Sequence, residues 1–366
     1  MERQDLLEWL RETDEARLDK LWAQADSLRA AHVGQAVHFR GLIELSNHCI
    51  RQCQYCGISA GSVGLRRYRM TEAEILACAE EAKAYGYGTV VLQGGEDPGL
   101  TQDFISGVVA RIKERTGLAV TLSLGEREDG ELAAWRVAGA DRYLLRFETS
   151  DPALYARIHP SRPGALPDRI ALLRRLTELG YEAGSGVMVG IPGQTWEILA
   201  QDIETFRELD LDMIGIGPFI PSDRTPLGGA LAEELRRAAG DQQVPNDELT
   251  TLKVVALTRL VCPDANLPST TALATIDPEQ GRELGLCRGA NIVMPNMTPP
   301  EYRVLYEIYP GKACIQETAG MCRACLAGRI HRIGRVAGKG AGGRQSQGAS
   351  ALQSDLGPDK FKLSNK

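Results

Sequence analysis

Short apolar runs alternate with longer amphipathic stretches along this chain, and this alternation constrains the fold more than any other feature. We predict eight strands, at 41–46, 88–93, 118–123, 142–147, 184–189, 212–216, 265–270 and 289–294. Helical periodicity predicts helices at 71–86, 101–116, 131–138, 166–180, 194–209, 247–261, 279–286 and 300–308. Consecutive strand–helix units form parallel sheets with right-handed crossovers. Eight units close most simply into a (β/α)8 TIM barrel, which is the fold we predict.

The segments that flank the barrel differ from it in composition. Leucines and tryptophans form one apolar stripe over 5–30, so residues 1–40 are predicted to be an N-terminal helical extension. We assign 41–312 to the barrel and 313–335 to a Cys-rich segment that closes it. Residues 336–366 are rich in Gly, Ser, Gln and Lys without an apolar period, which predicts a disordered tail.

Charge and hydropathy exclude some classes of partner. The net charge is −6 and the pI is about 5.6, so no positive field indicates nucleic-acid binding. The chain has no run of 18 or more apolar residues, so no membrane span is predicted. The charged first 40 residues lack the apolar core of a signal peptide, so we expect a cytoplasmic protein.

The chain has nine cysteines, and six of them form two groups. In a reducing cytosol, grouped cysteines are more often metal ligands or catalysts than disulfides. The groups are Cys49, Cys53 and Cys56, and Cys314, Cys322 and Cys325.

The first group has the spacing C-x3-C-x2-C directly after the first predicted strand, on the face where barrel enzymes carry their chemistry. A 4Fe–4S cluster normally takes four thiolates. With three, one iron keeps a position that a small molecule with an amine and a carboxylate can chelate. A zinc site is the alternative, with His48 or a remote residue as the fourth ligand, and a disulfide is a further one.

This spacing, with Tyr55 before the last cysteine, resembles the radical S-adenosylmethionine (SAM) superfamily. The resemblance implies a 4Fe–4S cluster on Cys49, Cys53 and Cys56 that binds SAM. It also implies the activity, which is transfer of one electron to the sulfonium and release of a 5′-deoxyadenosyl radical.

Segments at later strand ends are predicted to form the SAM pocket. Gly94–Glu96 is similar to the superfamily segment that holds the methionine amino group. Arg146 and Glu148 lie at i and i+2 of a strand and face one side, with a structural ion pair as the alternative. Arg169 suits the methionine carboxylate, although a surface arginine is the alternative. The full set of predicted contacts is Tyr55, Gln93, Gly94, Gly95, Glu96, Ser123, Arg146, Glu148, Arg169, Ile191, Met294 and Tyr306.

The second group, Cys314, Cys322 and Cys325, has the spacing C-x7-C-x2-C after the last barrel unit. It predicts a second iron–sulfur cluster, 2Fe–2S or 4Fe–4S, on the outer rim and away from the first. Zinc or a group of reduced thiols is the alternative.

Over about 38–330, segments such as SNHCIRQCQYCGI, VLQGGEDP and YRVLYEIYPGK are similar in order to the HydE family of FeFe-hydrogenase maturases. The resemblance implies a role in building the diiron site from a small iron complex with carbonyl, cyanide and cysteine ligands. It implies the maturases HydG and HydF and a low-potential electron donor as partners.

Methylornithine synthase and biotin synthase are the alternatives within the superfamily, and the second cysteine group favours the maturases over them. An iron–sulfur scaffold or carrier protein is the alternative that is not an enzyme. The GGE segment and the Arg146/Glu148 pair argue against a carrier, because a carrier needs no chelated cofactor.

Overall fold

A curved parallel sheet forms the centre of the computed structural model, which describes residues 1–160 and 169–344. Its strands are β1 (Ala36–Ser46), β2 (Thr89–Gly94), β3 (Ala119–Ser123), β4 (Arg142–Leu144), β5 (Glu182–Val189), β6 (Met213–Pro218), β7 (Ile292–Val293) and β8 (Val336–Ala337). The hydrogen-bonded order is β6-β5-β4-β3-β2-β1-β7, and β8 pairs with the start of β1. The strand order therefore follows the chain from β1 to β6, as consecutive strand–helix units require.

The barrel closes through the segment 265–269, which joins β6 to β7. Asn266 and Ser269 bridge Met213 and Ile216 of β6, and Pro268 bridges Ile292 of β7. This segment was predicted as a full strand at 265–270, but it forms isolated bridges. Pro268 has no backbone N–H, so it interrupts a regular ladder. The prediction of a (β/α)8 barrel is confirmed.

Fourteen α-helices are found in the described residues. They are α1 (Arg3–Arg11), α2 (Glu15–Val33), α3 (Glu72–Ala84), α4 (Gln102–Thr116), α5 (Asp129–Val137), α6 (Pro152–Ile158), α7 (Arg169–Glu178), α8 (Trp196–Glu208), α9 (Ala230–Ala239), α10 (Glu248–Val261), α11 (Thr271–Ile276), α12 (Gly281–Cys287), α13 (Pro300–Arg303) and α14 (Ala319–Arg332). The first three residues of the helix predicted at 166–180 lie outside the described residues. Within the described ranges, no helix is both long and apolar enough to cross a membrane.

The N-terminal extension differs from its prediction, because the single helix expected at 5–30 is two helices. Asp14 caps α2 by accepting a hydrogen bond from the backbone N–H of Arg17. An Asp at this position satisfies a free N–H of the first turn, so it starts a new helix. The predicted apolar stripe is buried in both helices, at Leu6, Leu7, Leu10, Leu18 and Leu21.

Residues 336–344 are ordered across the bottom of the barrel, which corrects the predicted disorder for this part of the tail. The Thr89 hydroxyl donates to the carbonyl of Ala341 at 2.8 Å, and buried Arg40 donates to the carbonyl of Gly342 at 2.9 Å. Arg344 pairs with Asp210 at 2.6 Å. Hydrogen bonds to strand ends order this segment despite its polar composition. The rest of the predicted tail, 345–366, lies outside the described residues.

Candidate active site

A cavity of about 300 Å³ opens at the carboxyl ends of the strands, where barrel enzymes hold their substrates. All three cysteines of the first group line it. Eleven of the twelve residues predicted to contact the cofactor line it too: Tyr55, Gln93, Gly94, Gly95, Glu96, Ser123, Arg146, Glu148, Arg169, Met294 and Tyr306. His48, the nearby ligand considered for zinc, is not among the lining residues.

The cysteine loop is held against the GGE segment by backbone contacts. The N–H of Ile50 donates to the carbonyl of Glu96 at 3.0 Å, and the N–H of Gly95 donates to the carbonyl of Ser46 at 3.0 Å. A Cβ on Gly95 would lie 2.2 Å from the carbonyl oxygen of His48, so only glycine fits. Gly95 therefore allows the GGE segment to pack closely against the cysteine loop. The segment also lines the cavity.

The three thiols are partly buried at the wall of the cavity. Burial raises the pKa of Cys53 to about 12 and also raises the pKa of Cys49 and of Cys56. The backbone N–H of Arg51 lies 3.4 Å from Sγ of Cys49, which favours the thiolate there. Because a cluster binds thiolates, loading this site releases protons.

Arg146 and Glu148 form the ion pair that was considered as an alternative, and both also line the cavity. Their side chains approach to 3.0 Å between Nη2 and Oε2. Nε of Arg146 and Oε2 of Glu148 are nonetheless buried without a hydrogen bond among the described residues. Glu148 has a φ of 64°, a strained conformation of the kind that concentrates at functional sites. The pair therefore retains capacity to bind a polar ligand.

Arg169 begins α7 and is buried, so it is not the surface arginine that was considered as an alternative. Its Nη1 donates to the carbonyl of Arg146 at 2.6 Å, and its Nε donates to Glu126 at 3.0 Å. Glu126 also accepts a hydrogen bond from Arg51 of the cysteine loop at 3.0 Å. The carboxylate thus joins two buried guanidinium groups beside the cavity.

Ile191 is the one predicted contact that does not line the cavity. Its side chain is fully buried and packs in a cluster with Leu154 and Phe219, behind the cavity wall. The turn that contains Ile191 is fixed from within: the side chain of Gln194 accepts from the N–H of Gly190 and donates to the carbonyl of Met188. The side chain of Ile191 therefore supports the wall, and its contact with the cofactor stays a prediction.

Tyr55 lines the cavity as predicted, and a buried partner fixes its ring. The Tyr55 hydroxyl shares a hydrogen bond of 2.9 Å with Nε2 of His159. Burial lowers the pKa of His159 well below its usual value, so this imidazole is neutral. The Tyr55 ring is held in one orientation at the edge of the cavity.

A buried ion pair lies behind Tyr306, on the side of the cavity away from Arg169. The Lys312 ammonium donates to Glu44 Oε1, and Asn296 Nδ2 donates to Glu44 Oε2 at 2.9 Å. Lys312 also lies 5.3 Å from the centre of the Tyr306 ring. The Tyr306 hydroxyl accepts a hydrogen bond from Gln93 at 3.3 Å. Through these contacts the Lys312–Glu44 pair supports two of the predicted contact residues, Tyr306 directly and Gln93 through Tyr306.

Two thiols of the second cysteine group line a separate, small cavity. Cys314 and Cys322 line a small cavity of about 20 Å³, and Met294 lines both this and the main cavity. A hydrogen bond from Cys322 lowers the pKa of Cys314. Cys325 lies one turn after Cys322 on α14 and is exposed. Cys314 and Cys322 therefore lie together, and a shared cluster site that includes Cys325 stays a prediction.

Sequence reasoning missed several residues of the site. Arg51 lies within the cysteine motif, so its position in the sequence could have marked it as a residue of the site. Glu126 follows β3 in the segment SLGE, and only the fold shows that it meets Arg51 and Arg169. The far wall of the cavity, including Met213, Gly215 and Thr270, has no motif to mark it.

Sequence comparisons relate the chain to enzymes of one superfamily. Residues 43–206 match the Radical SAM superfamily. The chain is 45% identical over 343 residues, 94% of each chain, to the [FeFe] hydrogenase maturase subunit HydE of Thermotoga maritima. It is 28% identical over 291 residues to the 3-methylornithine synthase of Methanosarcina acetivorans, covering 79% of this chain and 77% of that one.

Solved structures show the same fold. The crystal structure of methylornithine synthase (PylB) superposes with a TM-score of 0.74 at 24% identity, covering 92% of this chain and 94% of that one. The FeFe-hydrogenase maturase HydG of Carboxydothermus hydrogenoformans superposes with a TM-score of 0.69 at 18% identity, covering 81% and 67%.

Proposed function

The chain belongs to the radical SAM superfamily and, within it, to the HydE family, and we propose that it cleaves SAM reductively during maturation of an FeFe-hydrogenase. The observation that carries this proposal is the convergence of three thiols and eleven predicted cofactor contacts on one cavity. The zinc and scaffold alternatives supply no reason for that convergence, because neither needs a second cofactor beside the thiols.

The residues suit a 4Fe–4S cluster with SAM beside it. Cys49, Cys53 and Cys56 would hold the cluster as thiolates, which leaves one iron for the methionine end of SAM. When bound, these groups supply the electron transfer that cleaves SAM into methionine and a 5′-deoxyadenosyl radical. The partly buried thiols and the adjoining cavity fit this pair of groups.

The cavity walls offer complementary charges to SAM. Arg169 would bind the methionine carboxylate through its guanidinium, and Glu148 and Glu96 are placed to attract positive groups. Oε2 of Glu148, which has only its ion pair with Arg146, and Nε of Arg146 would gain hydrogen bonds on binding. The apolar remainder of the wall excludes water from a reactive radical.

Hydrogenase maturation is the specific role that we propose for this chemistry. The substrate would be a small iron complex with carbonyl, cyanide and cysteine ligands, and HydG, HydF and a low-potential electron donor would be the partners. The relationship to the Thermotoga maritima maturase supports this role over the methylornithine synthase alternative, because identity is 45% in one case and 28% in the other.

We expect that a strain which depends on its FeFe-hydrogenase will lose hydrogenase activity to background when this chain is deleted. Expression of the wild-type chain should restore that activity, because HydG and HydF cannot supply its step. The measurement is hydrogen evolution from cell extracts prepared without oxygen. Normal activity in the deletion strain would reject this role, and formation of methylornithine from lysine by the purified chain would favour the rival.

We also propose that Cys314, Cys322 and Cys325 hold a second iron–sulfur cluster. Support comes from Cys314 and Cys322, which line one small cavity, and from Cys325, which follows Cys322 by one turn of α14. The buried side chain of Arg303 braces this region by donating to the carbonyls of Cys314 and Asn296. The cavity that Cys314 and Cys322 line is only about 20 Å³, so side chains around it would have to move to admit a cluster.

A variant with all three of these cysteines replaced by alanine should lose a defined share of iron and keep SAM cleavage. The loss should be about half of the total for a 4Fe–4S cluster and about a third for a 2Fe–2S cluster, because the first site keeps four irons. Iron analysis of anaerobically reconstituted protein measures the share. Unchanged iron content would count against a second site.

A further inference from the structure

Glu126 lies where three parts of the SAM cavity meet. Its Oε2 accepts a hydrogen bond from Nη1 of Arg51, and its Oε1 accepts one from Nε of Arg169, each at 3.0 Å. The three residues are 6 to 9% exposed. Glu126 is therefore the shared counter-charge of two buried arginines.

The backbone around Glu126 is fixed as firmly as its side chain. Its N–H donates to Oε2 of Glu96, from the GGE segment, at 3.1 Å. Gly125 has a φ of 82°, and a Cβ there would lie 2.8 Å from the Glu96 side chain. Only glycine fits this approach, so the position of Glu126 relative to the cavity is set by close packing.

The side chain of Glu126 does not line the cavity, whereas both of its partners do. Arg51 belongs to the cysteine loop and Arg169 to the start of α7. Arg169 is held at two nitrogens, Nε by Glu126 and Nη1 by the carbonyl of Arg146. Two fixed nitrogens prevent the guanidinium plane from rotating, so the same part of it always faces the cavity.

The charges of Glu126, Arg51 and Arg169 also favour the binding of a ligand carboxylate. Two buried guanidinium groups that share one carboxylate leave a net positive charge, which a ligand carboxylate can neutralise. Loss of the Glu126 charge would leave the two cations without their counter-charge and would weaken the hold on Nε of Arg169, so that its guanidinium could turn about the remaining contact to the carbonyl of Arg146.

We propose that Glu126 is a positioning residue that orients Arg169 to bind the carboxylate of SAM. This inference rests on the proposed function, because it names SAM as the ligand of Arg169. Glu126 touches neither the cofactor nor the cysteine ligands, so its effect on catalysis passes through Arg169.

The Glu126→Gln variant, which keeps the shape of the side chain and removes its charge, tests this. We expect the KM for SAM to rise about 10-fold or more, as is typical when a supporting contact of a ligand is lost, with a smaller change in kcat. The apparent Kd for SAM, from EPR titration of the reduced cluster, should rise in parallel while iron content stays unchanged. Glu182→Gln is the matched control, because Glu182 pairs with buried Arg142 at the opposite end of the barrel.

A double-mutant cycle separates positioning from a structural role. In an Arg169→Lys background, Glu126→Gln should change the KM by less than about 2-fold, because the group it positions is gone. An equal rise in both backgrounds, or an unchanged Kd with a lowered Tm, would overturn the inference. If Glu126→Gln does not fold, Glu126→Asp replaces it in the same cycle with the same criteria. A wild-type chain that neither binds nor cleaves SAM would instead overturn the proposed function itself.

Discussion

The Cys53→Ala variant is expected to lose 5′-deoxyadenosine formation by more than about 100-fold, because loss of a supporting contact alone costs about 10- to 100-fold and we propose Cys53 as a direct ligand. Cys53 is the middle thiol of the three that line the cavity. Two thiolates on one loop leave two irons of the cluster without protein ligands, so the variant should also lose the iron of the first site.

Cys262→Ala is the matched control for this loss. Cys262 is also partly buried, but it lies at the end of α10, outside the cavity. Both variants should be reconstituted without oxygen, reduced with dithionite and assayed by chromatography for 5′-deoxyadenosine. Equal product from Cys53→Ala and from the wild-type chain would show that Cys53 is not a ligand.

The Lys312→Met variant is expected to lower the free energy of unfolding by about 3–5 kcal/mol, the usual effect of removing one partner of a buried ion pair. The side chains of Lys312 and Glu44 are 6% and 1% exposed, so the carboxylate left behind cannot reach water. Asn296 still donates to Glu44, but one neutral hydrogen bond does not replace an ammonium. Urea unfolding followed by circular dichroism, without oxygen, measures the change.

The double variant Glu44→Gln/Lys312→Met is the control. It removes both charges and keeps an acceptor for Asn296, so it should recover most of the lost stability. A single variant within about 1 kcal/mol of the wild type would contradict the assigned pairing, because surface pairs contribute that little. The same variant should also loosen Tyr306, whose ring and carbonyl both contact Lys312.

The barrel could be predicted from the sequence because its signal is local and repeated. Each strand carries its own apolar run, and capping residues such as Thr71 and Thr195 mark helix starts that the structure contains. The errors arose where tertiary contacts decide. Pro268 reduces one strand to bridges, and residues 336–344 gain order from strand ends more than 100 residues away in the sequence.

Parts of the candidate site could likewise be predicted from local sequence, whereas other parts depend on tertiary contacts. The cysteine loop and the GGE segment could be recognised because each motif is contiguous and performs its role within a few residues. Glu126 could not be, because its role depends on Arg51 and Arg169, which lie 75 and 43 residues away. The side chain of Ile191 packs in the core, which the sequence could not show, because a residue next to a turn can face the cavity or the core and only packing decides between them.

Reductive cleavage of SAM by this chain is tested most directly by the product balance of the wild-type protein. The chain, reconstituted without oxygen and given SAM and dithionite, should release 5′-deoxyadenosine and methionine in equal amounts, and neither should form without the reductant. This balance is expected because one electron breaks one carbon–sulfur bond per molecule of SAM. Product no greater than that from Cys53→Ala under the same conditions would contradict it.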